Sequence, residues 1–188
     1  MTAIMVHHTK ADMSLWTGRV EPFETQRARY WYQLAQPYDF DKAGQRVGLV
    51  GFACDQGVRR NQGRIGARAA PPLLKSTFAS LPVIKEIQDS FEGKLTTLMA
   101  DAGDIECEDN DEFAEQILEE AQQCYADVIT SVIKQGSLAI GLGGGHADAK
   151  LERVVVYPRR QPGDLLGLRV NPPHAGPQHS ERPRRARS

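Results

Sequence analysis

The chain has 188 residues, enough for one ordinary domain or for part of a larger one. Its 40% hydrophobic and 25% charged residues are typical of a folded globular protein and exclude an intrinsically disordered chain. No apolar run approaches the roughly 18 residues that cross a bilayer, and the first ten residues lack the apolar core of a signal peptide. The composition therefore predicts a protein without a membrane partner.

The charge and the prolines are unevenly distributed along the chain. Residues 147–188 contain nine basic and four acidic residues, whereas residues 1–146 contain 14 basic and 20 acidic ones. The first part therefore carries −6 and the second +5, within a net charge of −1. Six of the eleven prolines also lie after residue 146. This change of composition predicts a folded region up to residue 146 and a disordered Pro/Arg-rich tail over 147–188.

The cysteines indicate the redox environment. Cys54, Cys107 and Cys124 form an odd, sparse set without CxxC spacing. Such a set is typical of a reducing compartment rather than of a disulfide framework. We therefore expect a cytoplasmic protein without a disulfide framework.

In chain order, the first elements are a flexible segment, a helix and a strand. Residues 1–14 show no apolar period and are predicted to be flexible. A short helix is expected between Phe23 and Tyr38, ended by Pro37. Arg46–Cys54 is a compact apolar run, typical of a strand buried on both faces of a parallel sheet. The following polar stretch, 55–66, contains three glycines and three arginines and is predicted to be a loop.

A helix and a second strand are expected next. Pro71 and Pro72 are tolerated in the first turn of a helix over Leu73–Leu81. A strand over Leu95–Ala100 leads into Asp101-Ala-Gly-Asp104. This element is interpreted as a turn whose aspartates cap backbone amides, because Asp and Gly favour turns.

The strongest pattern is the apolar stripe of a helix from Asp111 to Gln135. Asn110 can cap its start and Gly136 can end it. A third strand over Ser137–Leu142 follows. Strands alternating with helices predict an α/β protein with a parallel sheet, whose chemistry gathers at the carboxyl ends of the strands.

Two groups of polar residues follow these strands. Arg59, Arg60 and Arg64, together with Asn61, could bind carboxylates or phosphates through bidentate guanidinium groups. A solvated loop remains the commoner explanation for any one of these arginines. His146 follows three glycines that fit neither a P-loop nor a dinucleotide fingerprint. The residues alone leave a metal or catalytic role and a structural role open for His146.

Five segments between residues 16 and 146 carry a set of motifs. They read WTGR at 16–19, GFACD at 51–55, GVRRNQGRIGA at 57–67, DAGD at 101–104 and LGGGH at 142–146. Together they resemble the formimidoylglutamase family of the arginase/agmatinase (ureohydrolase) superfamily. The stretch at 57–67 is specific to the formimidoylglutamase branch, whereas the GGGH element is shared more widely.

The resemblance implies a three-layer α/β/α domain around a parallel sheet, of which this chain holds the N-terminal part. It also implies two manganese ions whose bridging hydroxide attacks N-formimidoyl-L-glutamate, giving formamide and L-glutamate in histidine breakdown. His146 matches the first metal-ligand histidine of the family. Arg59, Arg60, Asn61 and Arg64 lie where contacts with the substrate carboxylates are expected. Family members commonly form homo-oligomers.

The sequence after His146 departs from the family pattern. The Asp-x-His-x-Asp and Ser-x-Asp-x-Asp motifs that supply the other metal ligands do not occur in it. We therefore expect a truncated formimidoylglutamase without activity, whose residues 147–188 arise from a frameshift or a sequencing artefact.

Two alternatives to this formimidoylglutamase hypothesis are kept. One is an agmatinase or arginase, which the formimidoylglutamase-specific stretch at 57–67 disfavours. The other is a non-enzymatic protein whose basic tail binds nucleic acid or an acidic partner. The single tail aromatic, Tyr157, offers almost no platform for base stacking and so disfavours nucleic acid.

Overall fold

The computed structural model describes residues 6–19, 29–91, 98–108, 110 and 112–143. Within these ranges it contains a sheet with helices on both faces, which confirms the predicted α/β fold. The strands are β1 (Val6–Thr9), β2 (Gln36–Pro37), β3 (Val47–Ala53), β4 (Met99–Cys107) and β5 (Leu138–Gly143). The helices are α1 (Gln56–Arg60), α2 (Ala70–Ala79), α3 (Lys85–Ser90) and α4 (Ala114–Lys134).

The sheet is mixed, with its central strands parallel. The strand order is β1-β4-β3-β5, and β2 also pairs with β4. The pairs β2–β4, β3–β4 and β3–β5 are parallel, whereas β1 is antiparallel to β4. The predicted parallel sheet is therefore confirmed for these central strands, and β1 adds an antiparallel strand at one edge.

The N-terminal strand corrects, for Val6–Thr9, the prediction that residues 1–14 are flexible, and residues 1–5 lie outside the described residues. Val6–Thr9 pairs with Asp104–Cys107, and Nε2 of His8 lies 2.6 Å from the carbonyl oxygen of Ala102. Four residues of the sequence Val-His-His-Thr are too few to show a period-two pattern. Long-range pairing therefore forms this strand without a local signal.

Helix α4 covers one face of the sheet, as its apolar stripe predicts. Its buried side chains pack against strand residues such as Val50 and Phe52. They are Ile117, Leu118, Ala121, Tyr125, Val128 and Val132. Burying each large apolar side chain contributes roughly 1.5–3 kcal/mol to folding.

The structure confirms the predicted C-terminal end of α4 but not its predicted N-cap. The N-cap is Phe113, which makes no side-chain capping bond, and Asn110 instead accepts a hydrogen bond from the Glu112 amide at 3.0 Å before the helix begins. At the other end Gly136 has φ +85°, a conformation that glycine adopts readily. The Gly136 and Ser137 amides donate to the carbonyls of Ile133 and Val132, which completes a Schellman motif.

Helix α2 packs near the opposite face, where it confirms the helix predicted for Leu73–Leu81. Pro71 and Pro72 lie in its first turn. Successive strand residues point to opposite faces, so Leu49 belongs to this second core while Val50 faces α4. The cluster also includes Trp16, Trp31, Leu34, Ala79, Val83 and Met99.

The helix expected between Phe23 and Tyr38 is wrong for the part that the structure describes. Residues 31–33 form only a single 3-10 turn, and Gln36–Pro37 then pairs with Ala100–Asp101 of β4. Residues 20–28 lie outside the described residues. Trp31 stacks on Phe78 with ring centroids 5.1 Å apart, so this aromatic side chain contributes to core packing and does not extend a helix.

Two further predictions concern the C-terminal region and membranes. The predicted boundary at residue 146 and the disordered tail over 147–188 lie outside the described residues. Among the helices that the structure does describe, none combines the length and apolar character needed to span a bilayer.

Candidate functional site

The carboxyl ends of three parallel strands define one edge of the sheet. β3, β5 and β4 end at Ala53, Gly143 and Cys107, and all three run in the same direction. Residues 55–68, which we call the arginine segment, leave the sheet at this edge. His146 lies outside the described residues, so its role as a metal ligand stays a prediction.

The arginine segment begins with a short helix and so corrects the prediction of a plain loop. Helix α1 covers Gln56–Arg60, and a turn follows it. The carboxylate of Asp55 accepts hydrogen bonds from the backbone amides of Gly66 at 3.1 Å and of Arg68 at 3.0 Å. Asp55 is buried, and its bonds close the segment on itself. Sequence reading missed this positioning role because the partners lie 11 and 13 residues away.

The structure brings two of the four predicted substrate-binding residues into one cleft. Arg59 and Arg60 lie in the last turn of α1 and face the first turn of α4. Nη2 of Arg60 lies 3.9 Å from Oε1 of Glu115, and both side chains are exposed. The cleft has a volume of about 210 Å³ and is lined by Gln56, Arg59, Arg60, Ala114, Glu115 and Leu118. Asn61 and Arg64 are exposed and lie outside this lining.

Hydrogen bonds tie the arginine segment to the residues at the end of β4. Nε2 of the buried Gln56 donates to the Glu108 carbonyl at 3.1 Å. Nη2 of Arg68 donates to the Cys107 carbonyl at 3.3 Å. The two ends of the segment are therefore both held against the same few residues.

A disulfide adds to these ties. Cys54 and Cys107 are bonded to each other with their Cα atoms 5.4 Å apart, so the prediction of no disulfide is wrong for this pair. Cys54 directly follows β3, and Cys107 ends the neighbouring parallel strand β4. The two are 53 positions apart in sequence, so spacing gives no sign of their proximity. Cys124 is free and half-buried.

A buried charged cluster lies beneath this edge, on the α2 face. Nζ of the fully buried Lys75 lies 2.7 Å from Oδ1 of Asp101 and 2.7 Å from Oδ1 of Asp104. Nε1 of Trp16 donates to Oδ2 of Asp101 at 2.8 Å. The prediction of a turn at Asp101–Asp104 is wrong, because β4 continues through both aspartates. The predicted capping holds for Asp101, whose Oδ1 accepts a hydrogen bond from the Gly103 amide at 2.9 Å.

The backbone around this cluster explains the two glycines that adjoin it. Gly103 has φ +88°, and a Cβ there would lie 1.9 Å from the Thr9 carbonyl oxygen. A Cβ on Gly51 would lie 1.8 Å from Oδ1 of Asp104. The glycines thus make room for the β1 backbone and for the Asp104 carboxylate.

The cluster has more negative than positive formal charge, with two carboxylates against one ammonium. Burial raises the pKa of Asp104, although its bond to Lys75 acts in the opposite direction. Both carboxylates are occupied by Lys75, which leaves them poorly placed as ligands for a cation. Within the residues that the structure describes, no three His, Cys, Asp or Glu side chains are grouped to hold a metal ion.

Comparison with known proteins establishes the family to which this chain belongs. A family model described as "Arginase family" matches residues 45–149, more than half of the chain. The chain therefore belongs to the arginase family.

The relatives point to one branch and confirm the resemblance inferred from the motifs. A formimidoylglutamase of Psychrobacter cryohalolentis is 68% identical over 146 residues, covering 76% of this chain and 42% of that protein. A formimidoylglutamase of Chromobacterium violaceum is 38% identical over 138 residues, covering 73% and 39%. One of Geobacillus kaustophilus is 36% identical over 144 residues, covering 73% and 40%. The chain thus spans about two fifths of the length of these relatives.

Proposed function

We propose that this chain carries part of a formimidoylglutamase, a hydrolase that splits N-formimidoyl-L-glutamate into formamide and L-glutamate. The observation that carries the proposal is the 68% identity to the Psychrobacter cryohalolentis relative over 146 residues. The geometry supports it, since β3, β4 and β5 are parallel and the arginine segment follows β3 at their carboxyl ends. Ligands of α/β proteins bind at such edges.

The cleft between α1 and α4 is the proposed place for the substrate carboxylates. Arg59 and Arg60 supply guanidinium groups that suit bidentate binding of a carboxylate. Glu115, at 3.9 Å, holds Arg60 only weakly because both side chains are exposed, so an anionic substrate can replace it. Asn61 and Arg64, in the exposed turn after α1, are proposed to contact the substrate from the rim.

We also propose that the complete enzyme uses manganese, because membership of the arginase family implies this metal. Manganese, if bound, would supply a Lewis acid that lowers the pKa of a coordinated water and so makes it a nucleophile at neutral pH. We assign His146 as one ligand because it ends the GGGH motif, three positions after Gly143 in the sequence, and matches the first metal-ligand histidine of the family. Hard cations prefer oxygen-rich sites, yet Asp55, Asp101 and Asp104 are already engaged in bonds within the protein. The described residues alone therefore do not fit a manganese site, and the remaining ligands are assigned to no residue here.

Location and assembly are proposed on the same family grounds. We propose a cytoplasmic enzyme whose partner is a small-molecule substrate and whose chains associate as a homo-oligomer. Residues 147–188, on which the nucleic-acid alternative depends, lie outside the described residues, and no other observation favours that alternative.

A chimeric enzyme tests the proposed reaction. The matching segment of the Psychrobacter cryohalolentis relative is replaced by residues 1–146 of this chain, and product release is measured with manganese. We expect formamide from N-formimidoyl-L-glutamate and no urea from agmatine or L-arginine. Faster urea release would favour an agmatinase or arginase instead.

Two controls accompany this assay. The unmodified relative shows that the conditions support turnover, and circular dichroism with gel filtration shows that the chimera folds and assembles as its parent does. A folded chimera that releases no formamide would contradict the proposal. The 188-residue chain alone is expected to release none.

A further inference from the structure

We propose that Cys54 and Cys107 are a redox-sensitive clamp that controls how readily the arginine segment opens. The pairing of β3 with β4 places the two residues side by side, because Ala53 is in register with Glu106 and each cysteine directly follows one of these two residues. Both residues are 1% exposed and their Cα atoms are 5.4 Å apart. The backbone thus keeps the two sulfur atoms close in the thiol state as well as in the disulfide state.

The clamp lies at the point where the arginine segment begins. Asp55 follows Cys54 directly, and its carboxylate holds the amides of Gly66 and Arg68 at the far end of the segment. The Arg68 guanidinium in turn donates to the carbonyl of Cys107. One covalent bond therefore fixes both ends of the segment against β4.

Without the disulfide, the segment is held to the end of β4 by weaker contacts. The bonds from Gln56 to the Glu108 carbonyl at 3.1 Å and from Arg68 to the Cys107 carbonyl at 3.3 Å are single hydrogen bonds. Such bonds open and close in local fluctuations, whereas a disulfide does not. Reduction is therefore expected to increase the population in which the segment is open.

The exchange step balances with a small disulfide such as glutathione disulfide as the oxidant. One cysteine thiolate attacks glutathione disulfide, which forms a mixed disulfide and releases one glutathione thiolate. The second cysteine thiolate then displaces the bound glutathione and forms the Cys54–Cys107 bond. Two protein thiols are oxidised, one glutathione disulfide is reduced to two thiols, and the protons pass to the glutathione thiolates and solvent. Because both sulfur atoms are buried, the reagent reaches them when the segment opens.

Limited trypsin digestion of the 188-residue chain tests the clamp, since Arg59, Arg60 and Arg64 lie within the segment. The protein is equilibrated in excess glutathione disulfide or in excess reduced glutathione and then digested briefly. Alkylation followed by mass spectrometry identifies the state of each cysteine. We expect cleavage at the segment arginines to be several-fold faster in the reduced sample, with cleavage after Arg46, at the start of β3, much less affected.

Variants separate the clamp from a general effect of the buffer. In both buffers, Cys54→Ser and Cys107→Ser should be cleaved as fast as the unmodified chain in reduced glutathione. Cys124→Ser should respond to the two buffers as the unmodified chain does. If either serine variant fails to fold, the comparison of the unmodified chain in the two buffers tests the proposal on its own. Free Cys54 and Cys107 thiols in excess glutathione disulfide would overturn the proposal. Equal acceleration at Arg46 and at the segment arginines would overturn it too, because it would indicate global destabilisation.

Discussion

Helix α4 covers one face of the sheet with apolar side chains, whereas the α2 face contains a buried charged cluster. On the first face, Ile117 and Val132 are fully buried among other apolar groups. On the second, Lys75 is equally buried but bonds to Asp101 and Asp104. Apolar burial tolerates many side chains of similar volume, while the cluster requires its partners at fixed positions. The two faces should therefore respond differently to substitution.

The largest effect on folding is expected at the centre of the charged cluster. Lys75→Met keeps most of the side-chain volume but leaves two buried carboxylates without their cation. We expect the free energy of unfolding to fall by about 3–5 kcal/mol, measured by urea denaturation. Lys85→Met is the matched control, because the Lys85 side chain is 78% exposed and pairs with Asp89. Equal losses in the two variants would show that the buried cluster contributes no more than a surface ion pair.

A smaller loss is expected on the α4 face. Ile117→Ala removes a fully buried side chain and leaves a cavity against the sheet. The free energy of unfolding should fall by about 3 kcal/mol. Glu119→Ala, on the exposed side of the same helix, should change it by less than about 0.5 kcal/mol. A loss at Ile117 no larger than that at Glu119 would contradict the packing described for α4.

The same contrast explains what the sequence could predict. The α4 stripe is local, since its buried residues recur along one helix, and its bounds and its terminal glycine were predicted closely. Strands β3 and β5 were also predicted, because each is a continuous apolar run between turn residues. β3 and β5 are two of the five described strands, and both end at the edge where the candidate site lies.

The charged cluster and the site contacts could not be predicted in this way. Lys75 bonds to aspartates 26 and 29 residues away, and no periodic pattern records such a pairing. Asp101-Ala-Gly-Asp104 was interpreted as a turn because its composition favours one, yet the β1 and β3 pairings extend β4 through it. The roles of Asp55 and of the Cys54–Cys107 pair likewise depend on which strands become neighbours.

The charged face should also depend on pH. Burial raises the pKa of Asp104 above its usual value of 3.8, so the folded state retains this proton longer than the unfolded chain does. Folding stability due to this group is therefore present at low pH and is lost as pH rises from 3.8 through the folded pKa.

Asp104→Asn tests this pH dependence. Asparagine can still accept the bond from Lys75, so the difference from the unmodified chain should be only about 1 kcal/mol. Urea denaturation is measured at several acidic pH values. As pH rises from 3.8 through the folded-state pKa of Asp104, the free energy of unfolding of the unmodified chain should fall relative to that of the variant. Asp89→Asn, at an exposed position, serves as the control. If the free energy of unfolding of the unmodified chain instead rose relative to that of the variant, attraction to Lys75 would affect the pKa of Asp104 more than burial does.

The smallest effect on stability is expected in the cleft at the carboxyl edge. The Arg60–Glu115 pair spans 3.9 Å between two exposed side chains. Arg60→Ala should change the free energy of unfolding by less than about 0.5 kcal/mol. A loss approaching that of Lys75→Met, again by urea denaturation, would assign Arg60 a structural role instead of a binding one.

The central proposal is that the arginine segment at the carboxyl edge binds the substrate of the complete enzyme. The most direct test measures kcat/KM for N-formimidoyl-L-glutamate in the chimera with Arg59→Ala, Arg60→Ala or Arg64→Ala. Arg46→Ala is the matched control, because Arg46 precedes β3 at the opposite edge and lies over the Phe91 ring. We expect kcat/KM to fall about 10- to 100-fold for an arginine that binds a substrate carboxylate, and to stay near the chimera's value for Arg46→Ala. Unchanged kcat/KM in all three segment variants, or an equal loss with Arg46→Ala, would contradict the account.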